Sequence, residues 1–510
     1  MMEEERKYEV DDGWALPELT AAAPGGGGVR ELPPVTLVAT YFDTVDLRLA
    51  RAGVSLRHRE GDPLPWTVKL PTDSPGVRHE ISRPGAVDAP PADLVELVTV
   101  VHRGAPLAPA AVVRTVRRAY EVHDDTGATL AEVVDDDVTV LDADGATTAA
   151  FREVEVERKA GDRDLLDRIG SLLREAGARD GGFVPKHVRA LGAAAEGEPD
   201  LVPPAGLPAD PTAGEVMTEA LRREVRRLLA HDPLLRLRAP VGDGDTAVHQ
   251  MRVACRRLRS DLKTFRRLVR PGWARRLRDE LTWLADALGA ARDGEVLRER
   301  LRRTAAADPL SPLDPAVVDR LDAVLAERQE VALAAVDEAL RSDRYRALVD
   351  ALVLAAASPR LTPRAAAPAR DLLPRLVARP WRRLAGAPGR PGSVAALAQD
   401  GPDEQWHTVR KDGKQARSAV TAVAPVLGGD AAKLARKLAR VQDLLGEHQD
   451  AAVAAETWRD VADTRPDDHD LAVTAGRMLE RERATVRRVR AEFPGAWRRA
   501  SRRRRTAWLR

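Results

Sequence analysis

Cysteine is almost missing from this chain: Cys255 is the single one in 510 residues. That excludes an internal disulfide framework and any zinc site built on thiolates, and it makes a reducing cytoplasm the expected location. Aromatic residues make up only 4% of the chain, too few for the stacking platforms that hold single-stranded nucleic acid, so a nucleic-acid partner is not expected, with backbone binding to a duplex the one form left open. No uncharged apolar run reaches membrane-spanning length, and the acidic first residues do not suit a signal peptide, so no membrane partner is expected either. Net charge is also nearly absent. With 81 Lys+Arg against 79 Asp+Glu, any preference for a charged ligand must come from local clustering.

The length suggests roughly three domains. Residues 1–192 carry short β-branched runs, such as Val35-Thr36-Leu37-Val38-Ala39-Thr40, separated by turn-rich breaks, and read as antiparallel β with a few helices. Residues 193–212 have the Gly, Ala, Pro and acid composition of a linker. Over 213–505, Leu, Ala and Arg recur at helical spacing, apart from a Pro-rich stretch between about 358 and 402. The fold class expected is therefore α+β and multidomain, with an all-α second half.

Charge falls where a strand normally places its core. With side chains alternating at a period of two, Glu3, Glu5 and Lys7 share one face. Arg57 and Arg59 do the same, Lys69 leaves a β-type run, and Arg78 and Glu80 flank His79. Glu153, Glu155 and Glu157 then lie opposite Arg152, Val154 and Val156. Such faces are either solvated outer surfaces or the lining of a water-filled lumen. Five of them in one domain favour the lumen, where Arg and Lys neutralise a polyanion and carboxylates hold a hard divalent cation, magnesium or manganese. A closed barrel would bring the strands around one ligand.

Glu3-x-Glu5-x-Lys7, Tyr41-Phe42-Asp43-Thr44 leading to Gly53-Val54-Ser55-Leu56-Arg57-x-Arg59, Thr67-Val68-Lys69, Glu153-x-Glu155-x-Glu157 and Lys186-x-x-Arg189 together resemble the CYTH, or triphosphate tunnel metalloenzyme, superfamily. The resemblance implies an eight-stranded antiparallel tunnel. It implies phosphate binding by Lys7, Arg57, Arg59, Lys69, Arg78, Arg117 and Lys186, with Arg114 competing with Arg117 for one slot. It further implies a metal side of Glu3, Glu5, Glu153, Glu155 and Glu157, with Glu80, Glu132 and Asp136 as lumenal neighbours. Catalysis would fall to Glu5, Lys7, Arg57, Arg59 and Lys69, through metal-assisted transfer of a phosphoryl group to water.

The helical half repeats itself. His249, Arg252, Arg256 and Arg259 match His407, Arg410, Lys414 and Arg417, at offsets of three, seven and ten that return to one helix face. Leu288-Gly289 through Asp293 is echoed by Leu445-Gly446 through Asp450, so two copies are expected at about 213–350 and 365–505. Arg257, Lys263 and Lys411 add to the positive potential. Val248-His249-Gln250-Met251-Arg252-Val253 with Arg256-Arg257-Leu258-Arg259 resembles the CHAD domain. That resemblance implies two pseudo-symmetric four-helix units whose basic surface, including all of these cations and both histidines, binds inorganic polyphosphate.

The sequence thus reads as a hydrolase of inorganic triphosphate, or a related triphosphate, joined to a polyphosphate-binding module. A class IV-type adenylate cyclase, a thiamine triphosphatase and a polyphosphate scaffold or sensor with a silent tunnel stand as alternatives. The oligomeric state is not legible.

Overall fold

The alternation of charged and apolar residues in the first half becomes the two faces of one closed sheet. The computed structural model describes residues 2–509 except 12, 73, 75, 143, 182–184, 243, 308, 388–391 and 465–466, and only the backbone of Met2 and Glu3. Eight strands form the ring: β1 (Met2–Glu9), β2 (Val35–Asp43), β3 (Ser55–Arg59), β4 (Trp66–Pro71), β5 (Val77–Arg83), β6 (Ala108–His123), β7 (Thr129–Leu141) and β8 (Thr147–Arg158). All pairings are antiparallel, in the order β1-β5-β4-β3-β2-β6-β7-β8, and β1 closes the ring by pairing with both β5 and β8. The barrel leaves none of these eight strands as an open edge.

Register fixes which side chains face inward. Directly opposite residues share a face, and Lys7 lies opposite Glu155, Glu153 opposite Asp136, and Asp136 opposite Arg117. The same rule carries the inner face through Tyr41 and Arg57 and through Ser55, Lys69 and Glu80, and ends with Arg78 opposite Glu3. Arg114 is one step out of phase and exposed, so Arg117 is the lumenal arginine of β6.

The outer face carries the apolar half of the pattern. Tyr8, Val122, Val133, Val154 and Val156 are buried beneath helix α1 (Arg163–Glu175), which supplies Leu165, Leu166, Ile169 and Leu173. Asp162 caps α1 by accepting from the Leu165 amide at 2.8 Å. Gly170 is required at this contact, because a Cβ there would stand 2.3 Å from the Tyr8 hydroxyl. A six-residue helix, α2 (Lys186–Leu191), packs Val188 and Leu191 on Leu47 and Ala50.

The chain divides into two compact units, Met1–Asp200 and Leu201–Arg510. The second is helical. Its first run comprises α3 (Ala213–Arg236), α4 (Ala247–Thr264), α5 (Pro271–Ala305) and α6 (Pro315–Arg341). A shorter helix, α7 (Asp343–Ala357), follows, and then a second run of α8 (Ala369–Ala385), α9 (Asp403–Leu427), α10 (Gly429–Thr464) and α11 (His469–Ala500). Thr212 and Glu215 form a capping box at the start of α3. Tyr345, fully buried on α7, donates to Asp232 of α3 at 2.7 Å. Gly413 sits inside α9, where it costs about 1 kcal/mol relative to Ala. A Cβ there would meet the buried Gln442 amide nitrogen at 2.0 Å, and α9 packs closely on α10 because that Cβ is missing. Among the described residues, no helix is long and apolar enough to cross a membrane.

Candidate functional site

Inside the barrel, cations and carboxylates hold one another. The Lys7 ammonium is ion-paired with Glu155, lies 3.5 Å from Glu5 and 3.9 Å from Glu153. Lys186 enters from α2 to Asp136 at 2.6 Å and Glu153 at 3.3 Å, and Arg189 reaches Glu153 at 3.2 Å. Arg117 makes a two-pronged bond to Asp136 at 2.7 and 2.8 Å. Burial works against every one of these charges. Glu155 nonetheless titrates well below the usual carboxylate range, because Lys186, Lys7 and Arg117 together outweigh its desolvation. For Glu153 desolvation wins and its carboxyl is raised, although Lys7 and Lys186 offset part of it.

On the opposite wall the arginines are less well matched. Arg57 has its Nε buried without a hydrogen-bond partner. Burial, then the like charges of Arg57 and Arg117, lowers Arg59 even though Asp62 pairs with it. Lys69 has Glu80 at 3.1 Å. Cations held together against their own repulsion are arranged for an anion of several charges.

The carboxylates suit a hard cation by type. Glu5, Glu157 and Glu132 are successive cross-strand neighbours on β1, β8 and β7, and Glu153 Oε1 is buried with no hydrogen bond beyond its ion pairs with Lys186 and Lys7. Among the described residues, no three such side chains converge into a metal-holding group. Lys7 lies beside Glu5, while Lys159 bridges Glu157 at 2.7 Å and Glu132 at 3.2 Å. The Glu3 side chain lies outside the described residues.

In the helical unit, the stripes of α4 and α9 supply one shared cation cluster. Arg256 feels Arg257 and Arg252 from its own helix and Arg410 and Arg417 from α9; burial and these like charges push it down to about 10. Burial, then Arg410, Arg256 and Arg252, pushes Lys414 down to about 6. Neither Arg256 nor Lys414 has a hydrogen-bond or ion-pair partner among the described residues. Among the described residues, the carboxylates paired with the cluster's first arginines come from the second landmark of the repeat: Asp293 holds Arg252 at 3.0 Å and Asp450 lies 3.7 Å from Arg410. The histidines meet the residue just before that aspartate. Arg292 is a near neighbour of His249, and His407 hydrogen-bonds Gln449.

The remaining basic residues divide. Arg257 reaches Glu224 of α3 at 3.0 Å, and Lys411 is exposed beside His407. Lys263, one turn beyond Arg259, joins Arg278, Arg379 and Arg383, with Asp412 as a counter-charge. These three arginines escape sequence reading because α5 and α8 place them, at positions outside the repeated motifs. Asp293 and Asp450 were visible as landmarks, but nothing in the sequence marked them as counter-charges.

The CYTH family model matches residues 1–181 and the CHAD domain model matches residues 219–459. This chain belongs to the CYTH–CHAD proteins. Along nearly its whole length it is similar to the protein named "Uncharacterized protein Rv2226" of Mycobacterium tuberculosis (strain ATCC 25618 / H37Rv), 33% identical over 521 residues that cover 98% of this chain and 96% of the relative. Solved structures similar to part of it include PptA from Streptomyces chartreusis, 25% identical with a TM-score of 0.46, covering 56% of this chain and 99% of that one. The CHAD domain from the plant Ricinus communis is 23% identical with a TM-score of 0.44, covering 58% and 96%. The barrel is thus a CYTH domain and the helical unit a CHAD domain.

Proposed function

We propose that the barrel hydrolyses inorganic triphosphate, or a close relative of it, and that the helical unit binds inorganic polyphosphate in the cytoplasm. The observation that carries the reading is the crowding of Arg57, Arg59 and Arg117 in the lumen, where their like charges act on one another although Asp62 pairs with Arg59 and Asp136 with Arg117, beside carboxylates that already have Lys7 and Lys186. In this reading Lys7, Arg57, Arg59, Lys69, Arg78, Arg117 and Lys186 orient and neutralise the phosphate chain. Glu5, Glu157 and Glu132, with Glu153 and Glu155 behind them, would hold magnesium or manganese. That ion, when bound, supplies charge stabilisation at the phosphoryl oxygens. Glu5→Gln keeps the size of the side chain and removes its charge. Phosphate release from tripolyphosphate in magnesium or manganese should then fall by about 100-fold or more, the scale of losing one preorganised electrostatic contact. Undiminished release by a folded Glu5→Gln protein would refute the assignment. Tight polyphosphate binding with no phosphate release by the native chain would instead support the scaffold reading.

For the helical unit, the reading rests on α4 and α9 bringing Arg252, Arg256, Arg410, Lys414 and Arg417 together with few carboxylates. A bound polyanion supplies the missing counter-charge. Free Lys414 is neutral above pH about 6, so binding there takes up a proton. Affinity for long-chain polyphosphate should therefore weaken as pH rises from 6 to 8, by at most about tenfold per unit from this one group. Lys414→Arg, charged throughout, should flatten that dependence. Calorimetric titration in buffers of different ionisation heat checks it, and identical proton uptake by the variant would contradict it.

A further inference from the structure

Side-chain exposure along β8 falls from 30% at Glu157 to 14% at Glu155 and 2% at Glu153. On β7, Glu132 is 23% exposed whereas Asp136 is fully buried. The lumen is therefore wet at the Glu157–Glu132 end and dry beyond Glu153 and Asp136. The reason is an apolar floor. Continuing the inner-face register past the charged rows reaches Ala39, Tyr41, Val113, Val138 and Phe151, which pack together with Ala190 of α2. Behind this floor α2 lies across the barrel end: His187 stacks on Tyr41 with ring centroids 5.5 Å apart, and Arg189 covers the Phe151 ring at 3.8 Å. The outer side of α2 is sealed in turn on Leu47 and Ala50. Arg57, opposite Tyr41 in register, is the cation beside the floor.

We infer that the barrel is entered from one end only, so that it accepts the terminus of a linear phosphate chain and cannot pass the chain through. The inference deepens the hydrolase reading and rests on it for its chemistry. A water oxygen bonds to the attacked phosphorus, and the bridging P–O bond breaks with its electron pair leaving on the oxygen of the departing phosphate. The water's proton goes to solvent. Because the floor fixes how far the terminus can advance, the bond that breaks lies at one fixed distance from the chain end. Chain ends, rather than internal bonds, are the substrate.

Two measurements on the full chain test this. Linear long-chain polyphosphate should yield one short product of fixed size from the first time point, tripolyphosphate should be turned over, and cyclic trimetaphosphate, which has no ends, should persist. Mid-length fragments, or turnover of the ring, would overturn the inference. The second measurement does not depend on activity. Cys255 is fully buried with its thiol pushed up to about 12, so an introduced cysteine is labelled against a low background. Glu132→Cys should react readily with an anionic methanethiosulfonate, and Val138→Cys roughly 100-fold more slowly, since labelling at the floor must wait for local opening. Equal rates would show a lumen open at both ends. If no linear phosphate is hydrolysed, the hydrolase reading fails, while the two labelling rates still decide whether the lumen is closed.

Discussion

Arg57→Met is expected to lower kcat/KM for tripolyphosphate by about 1,000-fold, the scale on which a preorganised cation or oxyanion donor contributes to phosphoryl and acyl transfer. Lys69 already has Glu80 at 3.1 Å and Arg117 has Asp136, whereas, among the described residues, the Arg57 Nε is buried without a hydrogen-bond partner and its guanidinium has only the Tyr41 hydroxyl and the charge of Glu80 beside it. Removing Arg57 also relieves repulsion toward Arg59. The thermal midpoint of the first unit should therefore hold steady or rise while activity collapses, which distinguishes a site residue from a structural one. Steady-state phosphate release and a melting curve on the same protein decide it. Activity within tenfold of the native chain would remove Arg57 from the site.

The largest expected effect on stability lies in the helical unit. The Arg300 guanidinium of α5 donates to Glu482 of α11 at 2.7 Å, Thr304 adds a bond to the other oxygen at 2.8 Å, and Glu482 is fully buried. Glu482→Ala leaves the buried Arg300 guanidinium with only Glu447, at 3.3 Å, and should cost about 3 kcal/mol, because the ion keeps most of its desolvation penalty after losing its closer partner. Arg300→Met with Glu482→Leu should cost far less, since neither charge is then buried. Urea unfolding of the three proteins gives the comparison, and a single variant no less stable than the double would contradict it.

Much of the architecture was legible because two periodicities are written plainly in the sequence. Charge at every second residue of Glu153-x-Glu155-x-Glu157, with Val154 and Val156 between, is the pattern of a strand with one wet and one dry face, and the barrel has both. Offsets of three, seven and ten from His249 and His407 mark the corresponding helices of two copies. What stayed hidden depends on contacts between distant segments. The pairing of Lys7 with Glu155 comes from register, which no single strand encodes. Arg114 and Arg117 compete for one place in the sequence, and the phase of β6 puts Arg117 on the lumenal face and Arg114 on the outer one. The floor of the barrel carries no motif at all: Val113, Val138 and Phe151 look like any core residues until the ring closes around them. Linker composition likewise marked a break over 193–212 but could not show that Arg48, Arg51 and Arg103 all converge on Asp200 within the first unit.

The duplicated latch, Arg252 to Asp293 and Arg410 to Asp450, has a consequence for how the two copies could diverge. Two separate polypeptides related by a twofold axis would have to accept every substitution in both halves at once. Fused in one chain, each half is free to change alone. Gly413 occupies the place that Cys255 holds in the other copy, and Lys263 gathers Arg278, Arg379 and Arg383 on one side only. A phosphate chain seated across the pseudo-twofold centre would therefore overhang in a preferred direction, toward the flank where the extra guanidinium groups lie.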